Sequence, residues 1–374
     1  MYTDRDFAQL QRYLYGLDSL QPSALKVMFL AADSTGCAWY RGRQPANRIN
    51  KNFPAKVNQI VSGFMIGPDA DPGPDDPAWD VVVHQRQNDF NNLGWVERMR
   101  KSVNPVMVYE ADDDFLHVDR RSQSALYYTK ERIMNSLRYM SKMDAMTVST
   151  EPLKQLYAPY NPNITVIPNA IEFEIIDQLP AKTPHDDIII GWFGSATHLV
   201  DLEVVFPVIA DLLKKYKNVR FKFGGWPTCP LLKDLPQDQL IVLPFVNDMM
   251  EYYKSLRDVD ILITPLADIP FNTCKSNLKF LEGGSQGIAV VASDVTAYNT
   301  TVRDGVNGIL VKARGATYKR WFKTLEDLIH DKPTRDKLGK TAATFIRQNF
   351  NQGKIAQQWV DFYAKVLFDF RNKK

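Results

Sequence analysis

Lys275 and Glu282 stand seven residues apart in the stretch NTCKSNLKFLEGGSQGIAVVASD, residues 272–294. Ser276 reads as the N-cap of a helix running to Gln286. That puts Lys275 at a helix N-terminus, where free backbone N–H groups and the dipole favour anions. A lysine there suits a diphosphate. Glu282 lies about two turns further along the same face, where a carboxylate can grip the two hydroxyls of a ribose. Ser276 and Asn277, beside the lysine, join this candidate nucleotide-binding set. The plainer reading is an exposed helical charge pair. Upstream, Gly194 and Ser195 end a strand and open a helix, so backbone N–H groups there can approach phosphate. His198 follows in the same turn.

A second group of candidates stands in the first half of the chain. The run DSTGCAWYRGR, residues 33–43, follows the first strand. Gly36 lets the backbone pass close to a ligand, and Arg41 and Arg43 can reach phosphate or an anionic acceptor. The same residues also fit an exposed first helical turn. The run YEADDD, residues 109–114, ends a strand at a sheet edge. Asp112, Asp113 or Asp114 could bind sugar hydroxyls, orient an acceptor or act as a base. Three adjacent aspartates also raise a divalent metal, and a helix N-cap with exposed charge is the plain alternative. His84 and Arg86 end the preceding strand, although a histidine at a strand end is often only a hydrogen-bonded structural residue.

These groups need a scaffold that brings strand ends together. Apolar β-branched runs at 25–31, 56–61, 79–85, 105–110, 145–149 and 164–167 predict strands. Helical stretches at 40–52, 93–102, 122–142 and 151–157 alternate with them. Strands with little polar alternation, separated by helices, predict an α/β fold with a parallel sheet covered on both faces. Residues 172–187 (EFEIIDQLPAKTPHDD) break the pattern and read as a linker. The rhythm restarts with strands at 188–193, 219–223, 240–244, 261–264, 289–292 and 308–311. Its helices are expected at 199–216, 249–256, 276–286 and 296–303, and the tail 317–371 reads as three more. The expected organisation is two doubly wound domains, 1–171 and 188–350, facing across a cleft. A C-terminal helix, 351–374, has the option of crossing back to the first domain. Residues 62–80, rich in Pro, Gly and Asp, predict a long loop that is exposed or helps to shape an acceptor site.

Composition narrows the class. With 374 residues, 45% hydrophobic and 24% charged, the chain suits two globular domains. The first 180 residues carry 19 Lys+Arg against 22 Asp+Glu, leaving 27 against 21 for the rest. A more basic second half fits an anionic ligand such as a diphosphate, or simply scattered solvated charge. Three cysteines (Cys37, Cys229, Cys274) are too few for a disulfide framework or a zinc site. The start, MYTDRDFAQLQRYLYGL, lacks a signal-peptide pattern, and no apolar run reaches the ~20 residues of a membrane span. A cytoplasmic protein is expected, with peripheral membrane attachment left open.

Several of these motifs recur in one family's order. Leu281-Glu282-Gly283-Gly284, then 287–293 (GIAVVAS), then 304–311 (DGVNGILV) resemble the donor-side core of the GT-B glycosyltransferases. The closest group is the retaining family 4, or glycosyl transferases group 1, and residues 191–201 (GWFGSATHLVD) resemble its first donor-domain turn. The resemblance covers roughly 188–311. It implies a GT-B fold of two Rossmann-like domains with C-terminal helices, and sugar transfer from a nucleotide-sugar, UDP-sugar favoured, to an acceptor hydroxyl. Retention of configuration and independence of metal are implied too, the nucleotide-sugar being the sole co-substrate. Glu282 then takes the family's ribose-holding glutamate position. The glutamate normally eight residues earlier is replaced by Cys274, and Ser195, Thr197 and His198 stand where basic residues are usual. Lys275 reads as the substitute cation, with Asp112 and Asp114 as catalytic candidates. The donor contacts are then Gly36, Gly194, Ser195, His198, Lys275, Ser276, Asn277 and Glu282. Arg41, Arg43, His84, Arg86 and Asp113 face the acceptor. Asn169 matches a hinge position. The resemblance implies a glycan or lipid-linked sugar as acceptor, with protein or a modified DNA base as alternatives. The acidic balance of the first half speaks against DNA. A GT-B-like epimerase, a phosphorylase and an inactive nucleotide-sugar-binding scaffold are the competing readings.

Overall fold

A computed structural model describes residues 25–53, 55–61, 79–121 and 124–372 of the chain. The loop expected over 62–80 lies outside the described residues as far as position 78. The described residues form two compact units. The first comprises the chain through Asp113, Thr129–Pro168 and the stretch from Gln352 onward; the second comprises Asp114–Tyr128 and Asn169–Asn351.

The first unit is built on a parallel sheet of β1 (Leu25–Ala31), β2 (Ala55–Val61), β3 (Val81–Gln85), β4 (Val106–Ala111), β5 (Ala145–Val148) and β6 (Ile164–Val166). Its strand order is β2-β1-β3-β4-β5-β6. Every residue of β3, β4 and β5 is buried, as expected of parallel strands covered on both faces. The helix expected at 122–142 is interrupted. Lys130–Lys142 starts afresh at Thr129, whose side chain accepts from the Arg132 N–H, a strong N-cap. The final helix, Gln352–Asn372, buries Trp359, Phe362 and Tyr363 in this unit, and Gln352 meets Gln44 in a buried amide pair at 3.0 Å.

His84 belongs to this core and not to a ligand face. It is 1% exposed, edge-on to Trp95 at 5.8 Å and 6.1 Å from the Tyr139 ring. Burial pushes its pKa down to about 3, with the Arg100 charge acting the same way. The acceptor-side role expected for it is therefore corrected: a strand-end histidine here is a neutral packing residue.

The second unit holds β7 (Ile188–Phe193), β8 (Val219–Gly224), β9 (Leu240–Leu243), β10 (Ile261–Thr264), β11 (Ala289–Asp294) and β12 (Ile309–Lys312). All are parallel, in the order β12-β11-β10-β7-β8-β9. Trp192 of β7 stacks on Phe223 of β8 at 4.6 Å, and Phe206 meets Phe221 edge-on at 5.8 Å. The helix expected over 199–216 is two helices, Leu199–Glu203 and Phe206–Lys215. Pro207 lies in the first turn of the second, where its missing N–H is harmless. The segment read as a linker opens with the Phe173–Ile176 helix and buries Phe173, Ile176 and Leu179, so it is packed rather than free. Three helices close the chain, Thr317–His330, Lys332–Asn349 and Gln352–Asn372.

One contact sets how closely the Lys332–Asn349 helix lies on the unit. A Cβ at Gly339 would stand 1.9 Å from the Gly287 carbonyl oxygen. We expect Gly339→Ala to lower the stability of the second unit by about 1–3 kcal/mol, measured by urea unfolding; an unchanged midpoint would mean that the helix shifts freely. His84 gives a pH test for the first unit. Its folded pKa lies below the unfolded value of 6.5, so its stabilising effect is complete above 6.5 and lost as pH falls toward 3. The slope is at most about 1.4 kcal/mol per pH unit. Urea unfolding at pH 7 and pH 5 will show this loss in the natural chain and a smaller one in His84→Leu. Equal losses in both would place the imidazole in water.

Candidate active site

In the second unit the strand order reverses between β7 and β10. Open parallel sheets bind ligands beyond the carboxyl ends of their strands at such a reversal. A pocket lies there, lined among others by Trp192, Phe193, His198, Thr264, Lys279 and Tyr298. Asp201, 3% exposed, organises its edge. One carboxylate oxygen takes the His198 Nδ1 hydrogen at 2.7 Å, which fixes that ring nitrogen as donor. The other accepts from the Ala267 N–H at 2.8 Å and the Asn272 side-chain amide at 2.6 Å.

Glu282 sits on the Leu278–Ser285 helix. A Cβ at Gly283 would stand 2.4 Å from Leu262, and one at Gly284 2.6 Å from Ile346. The two glycines let the helix press onto β10 and onto the Lys332–Asn349 helix, and so Glu282 is only 2% exposed. A carboxylate buried that deeply requires donors. Tyr252 donates to its Oε2 at 2.7 Å, and the Lys279 Nζ lies 3.0 Å from the same oxygen and 3.0 Å from the Tyr252 hydroxyl. Burial and the Glu282 charge raise the Tyr252 pKa well above its ordinary value, so the phenol stays a donor.

The remaining donor-side candidates are placed as follows. The Lys275 ammonium lies 4.5 Å from the centroid of the Phe271 ring, a cation–π contact. The helix begins at Leu278 with Asn277 at its cap position and no side-chain cap bond, so Lys275 stands further from the helix start than expected. Ser276 is not the N-cap; its Oγ accepts from the Asn169 side chain at 3.0 Å. Asn277 donates to the Thr301 hydroxyl at 3.0 Å. Gly194 is required by packing, since a Cβ there would lie 2.6 Å from the Trp192 ring. Ser195 pairs with Thr197 at 2.8 Å. Cys274, where the family has a glutamate, is buried.

In the first unit, Gly36 opens a short helical segment, and a Cβ there would meet nothing within 4 Å. Arg41 is corrected from ligand contact to core: it is 1% exposed and pairs with Glu110 at 2.7 Å. Its Nη1 donates to the Ile167 carbonyl at 2.6 Å. Arg43 is exposed. Beyond the ends of β3 and β4, Arg86 lies between Asp112 at 3.4 Å and Asp113 at 3.6 Å, and its Nη1 meets the Cys37 sulfur at 3.1 Å. Arg86 holds φ at 53°, a left-handed backbone uncommon for a bulky residue. Asp114, which belongs to the second unit, is buried and shapes a turn. It accepts from the Leu116 and His117 N–H groups at 2.8 and 3.1 Å and pairs with the His117 ring at 2.8 Å. Among the described residues no group of three or more His, Cys, Asp or Glu side chains is arranged to hold a metal.

Sequence reasoning missed Asp201, Asn272, Tyr252 and Lys279. Two of them carried a signal. Asp201 lies three residues after His198 and Lys279 three before Glu282, a spacing that places helical side chains together. Nothing local marks Tyr252, which arrives from another helix.

Comparison with known proteins adds the family. The model of the glycosyl transferases group 1 family matches residues 187–331. A D-inositol 3-phosphate glycosyltransferase of Stackebrandtia nassauensis is 25% identical over 236 residues, 56% of this chain and 52% of the relative. One from Paenarthrobacter aurescens is 31% identical over 111 residues, 30% of this chain and 25% of the relative. The chain thus spans about half or less of the length of these curated relatives. Among solved structures, Anabaena HepE in complex with UDP and glucose superposes with a TM-score of 0.65 at 12% identity, covering 91% of this chain and all 100% of that one. A sucrose-phosphate synthase of Thermosynechococcus elongatus gives 0.64 at 13% identity, covering 92% and 100%. Residues 187–331 thus match the group 1 glycosyltransferase model, and the chain has the GT-B fold of two Rossmann-like units with C-terminal helices.

Proposed function

We propose that the chain is a glycosyltransferase that moves a sugar from a nucleotide-sugar to an acceptor hydroxyl. The observation that carries this reading is the buried Glu282 carboxylate, held by Tyr252 and Lys279 beside the strand-order reversal of the second unit. A fixed carboxylate of that kind accepts from the two adjacent hydroxyls of a ribose, and the reversal is where a diphosphate sits in related architectures. Solved complexes of similar fold contain UDP, with glucose in one case, which supports a UDP-sugar as donor.

In the proposed reaction the bond between the anomeric carbon and the diphosphate breaks as the acceptor oxygen bonds to that carbon. Charge gathers on the leaving diphosphate, and neutralising it is the main catalytic task. The leaving phosphate oxygen takes the acceptor's proton, so retention needs no hydrolase-type carboxylate pair and no divalent metal. In the first unit, Arg86 flanked by Asp112 and Asp113 presents hydrogen-bonding groups with a net negative balance. That favours a neutral glycan hydroxyl over a phosphorylated or nucleic-acid acceptor. No helix among the described residues is long and apolar enough to cross a membrane. The proposed setting is the cytoplasm, where lipid-linked sugars would be reached from the membrane surface.

Thermal shift with UDP-, GDP-, ADP- and CMP-sugars in the absence of metal identifies the donor. We expect UDP-sugars to stabilise the chain, and Glu282→Gln to weaken that binding about tenfold or more, the usual weight of charged hydrogen bonds. No shift with any nucleotide-sugar at millimolar concentration would sink the reading. NMR of the product with simple sugar acceptors should show the donor's anomeric configuration; an inverted product would refute retention.

A further inference from the structure

The positive charge beside the strand-order reversal comes from Lys279. Among the described residues that line this pocket it is the one lysine or arginine. Its side chain is 28% exposed, whereas that of Glu282, its partner at 3.0 Å, is 3% exposed. Lys279 is thus the more exposed member of the pair and lines the pocket, whereas Glu282 is not among the lining residues. Lys275 does not line the pocket, and its charge rests over the Phe271 ring. His198, the other basic side chain in the lining, has Nδ1 committed to Asp201.

We propose that Lys279, and not Lys275, binds the diphosphate of the nucleotide-sugar, and that it does so by giving up its place on Glu282 to the ribose. The proposal rests on the nucleotide-sugar reading above. A carboxylate as buried as Glu282 must always have hydrogen-bond donors. Two ribose hydroxyls supply donors, and Tyr252 keeps its own bond to Oε2. The displaced ammonium swings on a flexible four-carbon stem. It departs from the second residue of the Leu278–Ser285 helix, one turn before Glu282, and so from the end of the helix nearer the strand termini. The turn after β7 offers Ser195, Thr197 and His198 and no lysine or arginine, so the compensating charge must come from a neighbouring element. One side chain thereby serves in turn as counter-ion to the protein's own carboxylate and to the ligand's phosphates.

Titration calorimetry with uridine and UDP on the full chain tests this, because the affinity gap between the two isolates the phosphates. In the natural chain UDP should bind about tenfold or more tightly than uridine. Lys279→Met should bring the two within about threefold. Lys279→Arg should recover part of the gap, and Lys275→Ala should narrow it less than Lys279→Met does. A gap that survives in Lys279→Met, or that closes in Lys275→Ala instead, overturns the proposal and leaves the nucleotide reading standing. Failure of the natural chain to bind either compound removes the nucleotide reading itself. Uridine binding by Lys279→Met confirms that the variant is folded. If that binding is lost, Lys279→Gln, which still donates to Glu282 without the charge, takes its place with the same expectations.

Discussion

Asp201 is the point from which the second unit's strand-end architecture hangs. Its two oxygens hold the His198 ring, the Ala267 N–H and the Asn272 amide. Those partners come from the turn after β7 and the loop after β10, the two sides of the strand-order reversal. A carboxylate withdrawn from water is costly unless its lone pairs are filled, so neither loop can move without exposing a price in unmade bonds. The consequences run outward from there. The imidazole takes a fixed orientation, and the loop carrying Asn272 delivers the chain to the helix on which Lys279 and Glu282 sit. Gly283 and Gly284 then let that helix seat deeply, which buries Glu282 and makes a counter-ion necessary.

The first unit handles charge in a different way. Arg41 is enclosed between Glu110, the Ile167 carbonyl and the ring of Trp359, whose centroid lies 5.0 Å from the guanidinium carbon. Burial pushes the Glu110 carboxyl above its ordinary pKa, and the Arg41 charge pulls it back. Removing one member of such a pair strands the other. This arginine therefore acts as a tie between strands and the final helix. Beyond the ends of β3 and β4, Arg86 meets Asp112 and Asp113, and these charges neutralise one another in part.

Much of the fold was legible in the sequence because burial on both faces writes itself as uninterrupted apolar runs. Stretches such as VVV of β3 and IIIGWF of β7 could belong to little else. Helix ends were less legible. The breaks at Thr129 and Pro207 depend on a cap and a proline whose effect is overridden or realised only by packing. Site residues divided the same way. Glu282 stood out because helical spacing and motif agreed on it. Arg41 and His84 were misassigned because an arginine after a strand and a histidine at its end look alike whether they face ligand or core. What distinguishes them is Glu110, Trp95, Tyr139 and Trp359, partners distant in sequence that local pattern cannot supply.

The final helix has a consequence for synthesis. Residues from Gln352 onward pack into the first unit, against a sheet whose strands are complete by Val166. Trp359, Phe362 and Tyr363 are core residues there, not decoration. As the chain emerges from the ribosome, the first unit must wait with an uncovered apolar face while the whole second unit is made. The second unit draws only on residues up to Asn351, so it can finish first. In order of synthesis, the segments of the second unit are therefore complete before those of the first. During that interval the surface awaiting the last helix is what a chaperone would recognise.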